Sequence, residues 1–259
     1  MSEPHFFEAM AEFMGPAYLR YSFTKGTEQE VAFLVDVLGL RPGMRVLDVG
    51  CGPGRHCLAL ARCGIGVLGI DISETFVELG REAAAAEGLA AEFSVADART
   101  LTFDAEFDAA ISLCQGGFGL VGRIEDGSAD GTVLANLARA VFPGAPVAVS
   151  AFSAYFVVRN LESGDSFDPA SGVNHEVSEL RTEAGERRTF DLWTTCFTPS
   201  ELRLLCAAAE LGVDAVWSVT PGDYARRPPD LDHPEWLVVA HRLARTASRR
   251  SLGSVSAGF

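Results

Sequence analysis

The chain has 259 residues, 48% of them hydrophobic, and a formal net charge of −14. That length suits one α/β domain with a modest insertion, and the apolar fraction is ample for a large core. So acidic a surface repels phosphates and argues against a nucleic-acid partner, leaving a small molecule or small peptide as the favoured one.

Residues 1–14 lack the basic start and apolar centre of a signal peptide. No apolar run reaches the roughly 18 residues needed to span a bilayer. No membrane association is therefore expected, and the cytoplasm is the expected compartment. Tyr18, Tyr21 and Phe23 then stand close together. From Glu28 to Leu38, the spacing of Val31, Leu34, Val35 and Leu38 predicts a helix, ended by Gly39 and Pro42-Gly43. Val46-Leu47-Asp48-Val49 predicts a first strand. It runs into Gly50-Cys51-Gly52-Pro53-Gly54, a turn with glycine at every second position, and then a helix from His56 to Arg62. Glycine is needed where the backbone takes a positive φ or approaches a ligand closely. Such a turn is expected to aim free backbone N–H groups at whatever lies before the helix.

Further strands are predicted at Gly66–Asp71, Ala91–Asp97, Phe107–Leu113 and Pro146–Phe152, with a helix ending near Ala83–Glu87 and another over Gly131–Val141. The alternation breaks after Phe152. Residues 153–190 are polar, with two β-compatible runs around Gly185, and read as an insertion over the strand ends. Thr198-Pro199-Ser200-Glu201 is a capping box that starts a helix to Leu211. Val213–Val219 and Glu235–Ala240 make a last strand pair, and Thr246–Phe259 a loose tail. Six cysteines occur without a C-x-x-C pair, so free buried thiols and no metal site are expected.

The glycine turn is not a dinucleotide fingerprint, because the third glycine would fall at Arg55. It is not a P-loop either, since no Gly-Lys-Ser/Thr closes it. The pattern Asp48-x-Gly50-x-Gly52-x-Gly54 resembles motif I of the class I S-adenosylmethionine-dependent methyltransferases. The likeness is specific over residues 44–152 and looser over 1–43 and 190–243. It implies an α/β, Rossmann-like, doubly wound seven-stranded sheet, mostly parallel, with an antiparallel last strand and a small antiparallel insertion after strand five. The corresponding divisions are an N-terminal helical segment over the cofactor (1–43), the methyltransferase domain (44–243, insertion 153–190) and a tail (244–259).

The resemblance also implies roles. Asp71, 21 residues beyond Gly50, meets ribose hydroxyls. Asp97 and the Ala98 N–H meet adenine. Cys114 and Gln115 face the methionine part of S-adenosylmethionine and the acceptor. Tyr18 belongs to a segment folded over the cofactor. Further cofactor contacts are expected at Asp48, Gly50, Cys51, Gly52, Gly54, Arg55, His56 and Ile72. Plainer readings stand beside these: Arg55 on the surface, His56 as a helix residue, Tyr18 and Tyr21 as packing. His175 with Glu176, in a loop over the site, is the candidate base and orienter, with a solvated pair as the alternative. Tyr21 is a further catalytic candidate. Cys114-Gln115-Gly116-Gly117 does not match the Asp/Asn-Pro-Pro-Tyr/Phe of amino-methylating nucleic-acid enzymes. The expected activity is methyl transfer to O or N of a small molecule. A tRNA or protein acceptor, and a non-methylating cofactor-binding protein, are the rivals; a homodimer is left open.

Overall fold

Short apolar runs between glycine and proline punctuation become strands, and the amphipathic runs between them become covering helices. The computed structural model describes residues 5–114, 116–120 and 128–244. In chain order it holds α1 (Phe6–Met14), two 3₁₀ turns, α2 (Thr27–Val37), β1 (Arg45–Val49), α3 (Arg55–Arg62), β2 (Gly66–Asp71), α4 (Glu74–Glu87), β3 (Ala91–Val95) and β4 (Ala109–Ser112). There follow α5 (Ser128–Ala140), β5 (Pro146–Ser153), α6 (Ala154–Arg159), β6 (Ser166–Asp168), β7 (Val173–Arg181) and β8 (Arg187–Phe197). Finally come α7 (Pro199–Ala208), β9 (Leu211–Val219) and β10 (Glu235–Arg242).

The central sheet runs β3-β2-β1-β4-β5 in parallel, then continues through β10 to β9. β10 is antiparallel to both of its neighbours. Strand order reverses between β1 and β4, and the crevice outside the carboxyl ends there is the ligand position of open α/β sheets. Val133, Leu134 and Leu137 of α5 and Leu202 and Cys206 of α7 pack on one face. Val31 and Leu34 of α2, Cys57 and Leu60 of α3 and Val77 of α4 pack on the other.

The sheet has ten strands among the described residues, because β6, β7 and β8 join it as an antiparallel arm. β8 attaches to β5 in parallel through Phe152 with Cys196 and Ser153 with Phe197. The extension therefore reaches Phe197, seven residues beyond the expected end at 190. The N-terminal segment lies between this arm and α4. Met10, Ala11 and Met14 of α1 form a third apolar cluster with Phe76 of α4 and Leu180 of β7. His5 caps α1 in a capping box with Glu8. Among the described residues no helix is long and apolar enough to cross a membrane, and no His/Cys/Asp/Glu group is arranged to hold a metal.

Candidate active site

Asp71 ends β2 with its carboxylate 4% exposed at the switch point. The Gly52 N–H donates to its Oδ2 at 2.8 Å and the Ser73 N–H to its Oδ1 at 2.9 Å. Each oxygen keeps a second lone pair for a ligand hydroxyl. Burial pushes this carboxyl up to about 6, against the backbone bonds from Ser73 and Gly52.

Gly50, Gly52 and Gly54 all take left-handed φ angles (+73°, +55° and +84°). At Gly50 a Cβ would fall 1.9 Å from the carbonyl carbon of Gly116, so the turn and the segment after β4 touch backbone to backbone. Gly50→Ala is expected to cost more than about 1 kcal/mol, from strain and from displacing residues 116–117. Urea unfolding checks this, and a midpoint equal to wild type refutes the close approach. Gly54 serves packing, since a Cβ there would strike the Phe93 ring at 2.4 Å.

The expectation of free amides in the turn is corrected. Gly50 and Cys51 donate to Ile70 O, Gly52 to Asp71 and Gly54 to Cys51 O. The turn spends its own N–H groups holding its shape, and what faces the crevice is glycine backbone and a carboxylate.

A narrow slot and a wide cavity meet at Gly50, Asp71 and Gly116. The slot is walled by Ile72, Asp97, Ala98 and Leu120. Its volume of about 40 Å³ holds about three waters. A purine would need the slot wider than it stands here. Asp97 is chelated by Arg99 Nε and Nη2 at 2.6–3.0 Å, and that bonding holds its carboxyl below the usual range. The wide cavity has a volume of about 610 Å³, within the usual range for a small-molecule site. Phe7, Met10 and Met14 of α1 roof it, with Tyr18 and Tyr21. Glu176, Ser178 and Leu180 of β7 and Leu192 and Thr194 of β8 form one wall, the alternate residues of a strand sharing a face. Cys114 and Glu235 also face it.

Of the expected cofactor residues, Tyr18, Gly50, Gly52, Asp71, Ile72, Asp97, Ala98 and Cys114 line one or both spaces. Gln115 lies outside the described residues. Asp48, Cys51, Gly54, Arg55 and His56 line neither. Asp48 is 1% exposed and takes a bond from Cys57 Sγ at 3.2 Å. Arg55 and His56 turn to Glu30 of α2, which is fully buried. At the start of α3 both side chains are therefore engaged with α2, and neither lines the slot or the wide cavity.

The paired catalytic role of His175 and Glu176 is also corrected. They are consecutive in β7, not in a loop, so they point to opposite faces of the arm. Glu176 faces the cavity; His175 stacks on Trp193 and meets Asp191 Oδ1 at 2.7 Å. His175→Ala is expected to leave the rate of any methyl transfer within about twofold, as for a surface pair. A tenfold loss would return it to the chemistry. Tyr21 lines the cavity, and its hydroxyl accepts from the Arg181 N–H at 3.2 Å, tying the N-terminal segment to the arm. Tyr18 lies over Gly52, and burial pushes its phenol far up, so it remains an O–H donor.

Two site residues escape sequence reasoning. Glu235 is 3% exposed at the head of the apolar strand β10. Glu30 sits on the apolar face of α2 beside Val31 and Leu34. In both cases the available signal is a carboxylate at a position whose period demands burial.

Residues 46–122 match a family model described as a methyltransferase domain. The fold and the motif are those of the class I S-adenosylmethionine-dependent methyltransferases. S-adenosylmethionine is the cofactor of that family. The phosphoethanolamine N-methyltransferase of Triticum aestivum is 44% identical over 87 residues, which are 33% of this chain and 17% of that protein. The chain spans less than a third of the length of the curated relatives it matches. The CcbJ methyltransferase from Streptomyces caelestis has the same fold, with a TM-score of 0.75 at 18% identity, covering 94% of this chain and 100% of that one. The [4+2]-cyclase SpnF shares the fold more loosely, with a TM-score of 0.59 at 20% identity, covering 86% of this chain and 83% of that one.

The residues present fit this cofactor. A buried carboxylate with lone pairs to spare ends β2, a side-chain-free turn lies beside it, and a second acid with an apolar wall stands at the end of β3.

Proposed function

We propose that the chain is a methyltransferase that moves the methyl group of S-adenosylmethionine to an oxygen or nitrogen of a small molecule. What carries this reading is the meeting of the Asp71 crevice with a 610 Å³ cavity roofed by the chain's own N-terminal segment. When bound, the cofactor supplies an electrophilic methyl carbon, and the acceptor's lone pair makes the new bond as the C–S pair stays on sulfur. The protein's task is placement and water exclusion. In this reading Asp71 accepts from both ribose hydroxyls, and Asp97 and the Ala98 N–H meet adenine once Arg99 yields. The glycine turn, with Tyr18 above it, borders the methionine part. Cys114, just after β4, takes a φ of +51°, a strained position at the wall of the wide cavity. α1 and its 3₁₀ turns cover the acceptor.

Titration calorimetry with S-adenosylmethionine, S-adenosylhomocysteine and NAD tests the cofactor half. Micromolar binding of both sulfur compounds with NAD silent is expected; binding of NAD alone would overturn it. Transfer of labelled methyl to members of a small-molecule panel tests the other half. The fold shared with a cyclase keeps one rival in view, a bound cofactor with no methyl transfer. Labelled product from any acceptor removes that rival.

A further inference from the structure

A hydroxyl that takes a methyl group must lose its proton, and an ammonium must lose one before its nitrogen can attack at all. The walls of the wide cavity decide which of these the protein can serve. Among the described residues no lysine, arginine or histidine lines it, and its ionisable groups are carboxylates, two phenols and a thiol. Most of them are committed. Asp71 holds the Gly52 and Ser73 amides. Burial pushes the Cys114 thiol and the Tyr18 phenol far up, so both keep their protons. The Tyr21 oxygen already takes the Arg181 N–H. Glu179 is exposed and paired with Arg181 and Arg187, and Glu235 is 3% exposed with an interaction of its own.

Glu176 stands apart from these. It lies in β7 on the face that walls the cavity, paired across the hairpin with Leu192. It is half-buried, so a proton it takes can pass on to water. Ser178, two residues on and on the same face, donates its Oγ–H to Glu176 Oε1 at 2.9 Å. That partner is a neutral hydroxyl, and Oε2 keeps lone pairs for a donor in the cavity. The same carboxylates separate acceptors by their chemistry. An alkylammonium would be held in its charged form, because a carboxylate is a weaker base than an amine by about six pKa units, and its nitrogen would have no lone pair to offer. A hydroxyl keeps its lone pairs while it donates its proton. Its O–H turns strongly acidic as the methyl carbon arrives, and a carboxylate is then base enough. A phosphate on the acceptor would meet no cation among the described lining residues.

We propose that Glu176 is the catalytic base and that the acceptor is an uncharged hydroxyl compound, its O–H donated to Glu176 Oε2 and its apolar body against Phe7, Met10, Met14 and Leu192. This rests on the methyltransferase reading and narrows its "oxygen or nitrogen" to oxygen. A lone pair of the acceptor oxygen bonds the methyl carbon, whose former bonding pair stays on sulfur, and the O–H proton passes to Oε2. The products are the methyl ether, S-adenosylhomocysteine and a protonated Glu176, which returns its proton to water.

The first test is calorimetric, on the full chain saturated with S-adenosylhomocysteine, with three probes of one shape: 2-naphthol, its methyl ether and 2-naphthyl phosphate. The naphthol is expected to bind about tenfold or more tightly than the ether, which brings no donor to the carboxylate. The phosphate should not bind. Glu176→Gln should cut the preference for naphthol over ether by about threefold or more and leave the ether as it was. The second test is transfer of labelled methyl to 2-naphthol, 2-phenylethanol and 2-phenylethylamine at pH 7. Label is expected in a hydroxyl member and not in the amine, and Glu176→Gln should lower kcat by about 100-fold with KM within about threefold. Equal affinity for naphthol and ether, binding of the phosphate, or label in the amine alone would each overturn the proposal on the wild-type protein, whether or not the variant folds. A folded Glu176→Gln with kcat within about twofold of wild type, or with its preference unchanged, would overturn it as well. If no probe takes label, the binding series decides alone. Wild-type protein that ignores S-adenosylhomocysteine but binds naphthol through Glu176 would leave the hydroxyl site standing and remove the methyltransferase reading.

Discussion

Replacing Glu30 by alanine is expected to destabilise the protein by about 3–5 kcal/mol, the cost of breaking a buried ion pair from one side. At this size that corresponds to a fall in Tm of roughly 6–20 °C. Glu30 is fully buried and serves several elements at once. Its Oε2 receives Arg55 Nη1 and lies 2.8 Å from His56 Nε2; its Oε1 accepts the Gly222 N–H at 2.7 Å. Burial alone would raise its carboxyl, but the His56 bond and the Arg55 charge outweigh burial and hold it below the usual value. Removing it leaves a nearly buried guanidinium without its carboxylate and an amide without its acceptor. The control is Glu30→Leu with Arg55→Met, which removes both charges and should recover part of the loss. A Tm within about 3 °C of wild type for Glu30→Ala would show that water reaches the cluster and that it is no buried hub.

The consequences extend beyond stability. Arg55 Nη2 also donates to Cys114 Sγ at 2.9 Å, and Gln29 bonds Tyr224 through both its N–H and its C=O. The cluster therefore ties the helix after the glycine turn to Cys114 and to residues 222–224. In this arrangement Arg55 and His56 position the crevice without lining it.

The sequence makes the crevice legible for a physical reason. A parallel strand ending in a glycine turn and a carboxylate at the next strand end are local patterns, readable over five to seven residues each. Asp71 and Gly50 are of this kind. Glu30 and Glu235 are not, because their meaning depends on partners 25 or more residues away or on a cavity wall built by other strands. The arm shows a different difficulty. Its polar composition suggests a loop, and only the pairing of Val173–Arg181 with Arg187–Thr195 makes it a hairpin. Once it is a strand, neighbours in sequence part company, which is why His175 and Glu176 separate. The glycine turn misled in the opposite sense. Its spacing suggested amides aimed at a ligand, but a turn this tight must satisfy its own N–H groups, and Ile70 O and Asp71 take them.

Asp71→Asn is expected to weaken S-adenosylhomocysteine by about 1–3 kcal/mol, roughly 5–150-fold, through lost ribose acceptors. pH separates this role from mere structure. With burial holding the Asp71 carboxyl up at about 6, the group is ionised and acceptor-only at pH 8 but largely protonated at pH 5. Two ribose hydroxyls need acceptors, so wild-type affinity should be level above pH 7 and fall as pH drops through 6. The effect on stability has the opposite sign. A carboxyl whose folded value lies above its ordinary 3.8 binds its proton more tightly folded than unfolded. The ligand-free protein should therefore lose stability as pH rises from 4 to 6, the cost being complete above 6 and absent below 4. Cofactor hydroxyls then repay part of that cost, so the ligand's stabilising effect on Tm should grow across the same window. Asp71→Asn, with nothing to ionise, should show level affinity between pH 5 and 7. If the variant keeps the wild-type pH profile, the titrating group is elsewhere and Asp71 is not the ribose acceptor. If it keeps wild-type affinity at pH 8, the crevice does not bind the cofactor through the end of β2 at all.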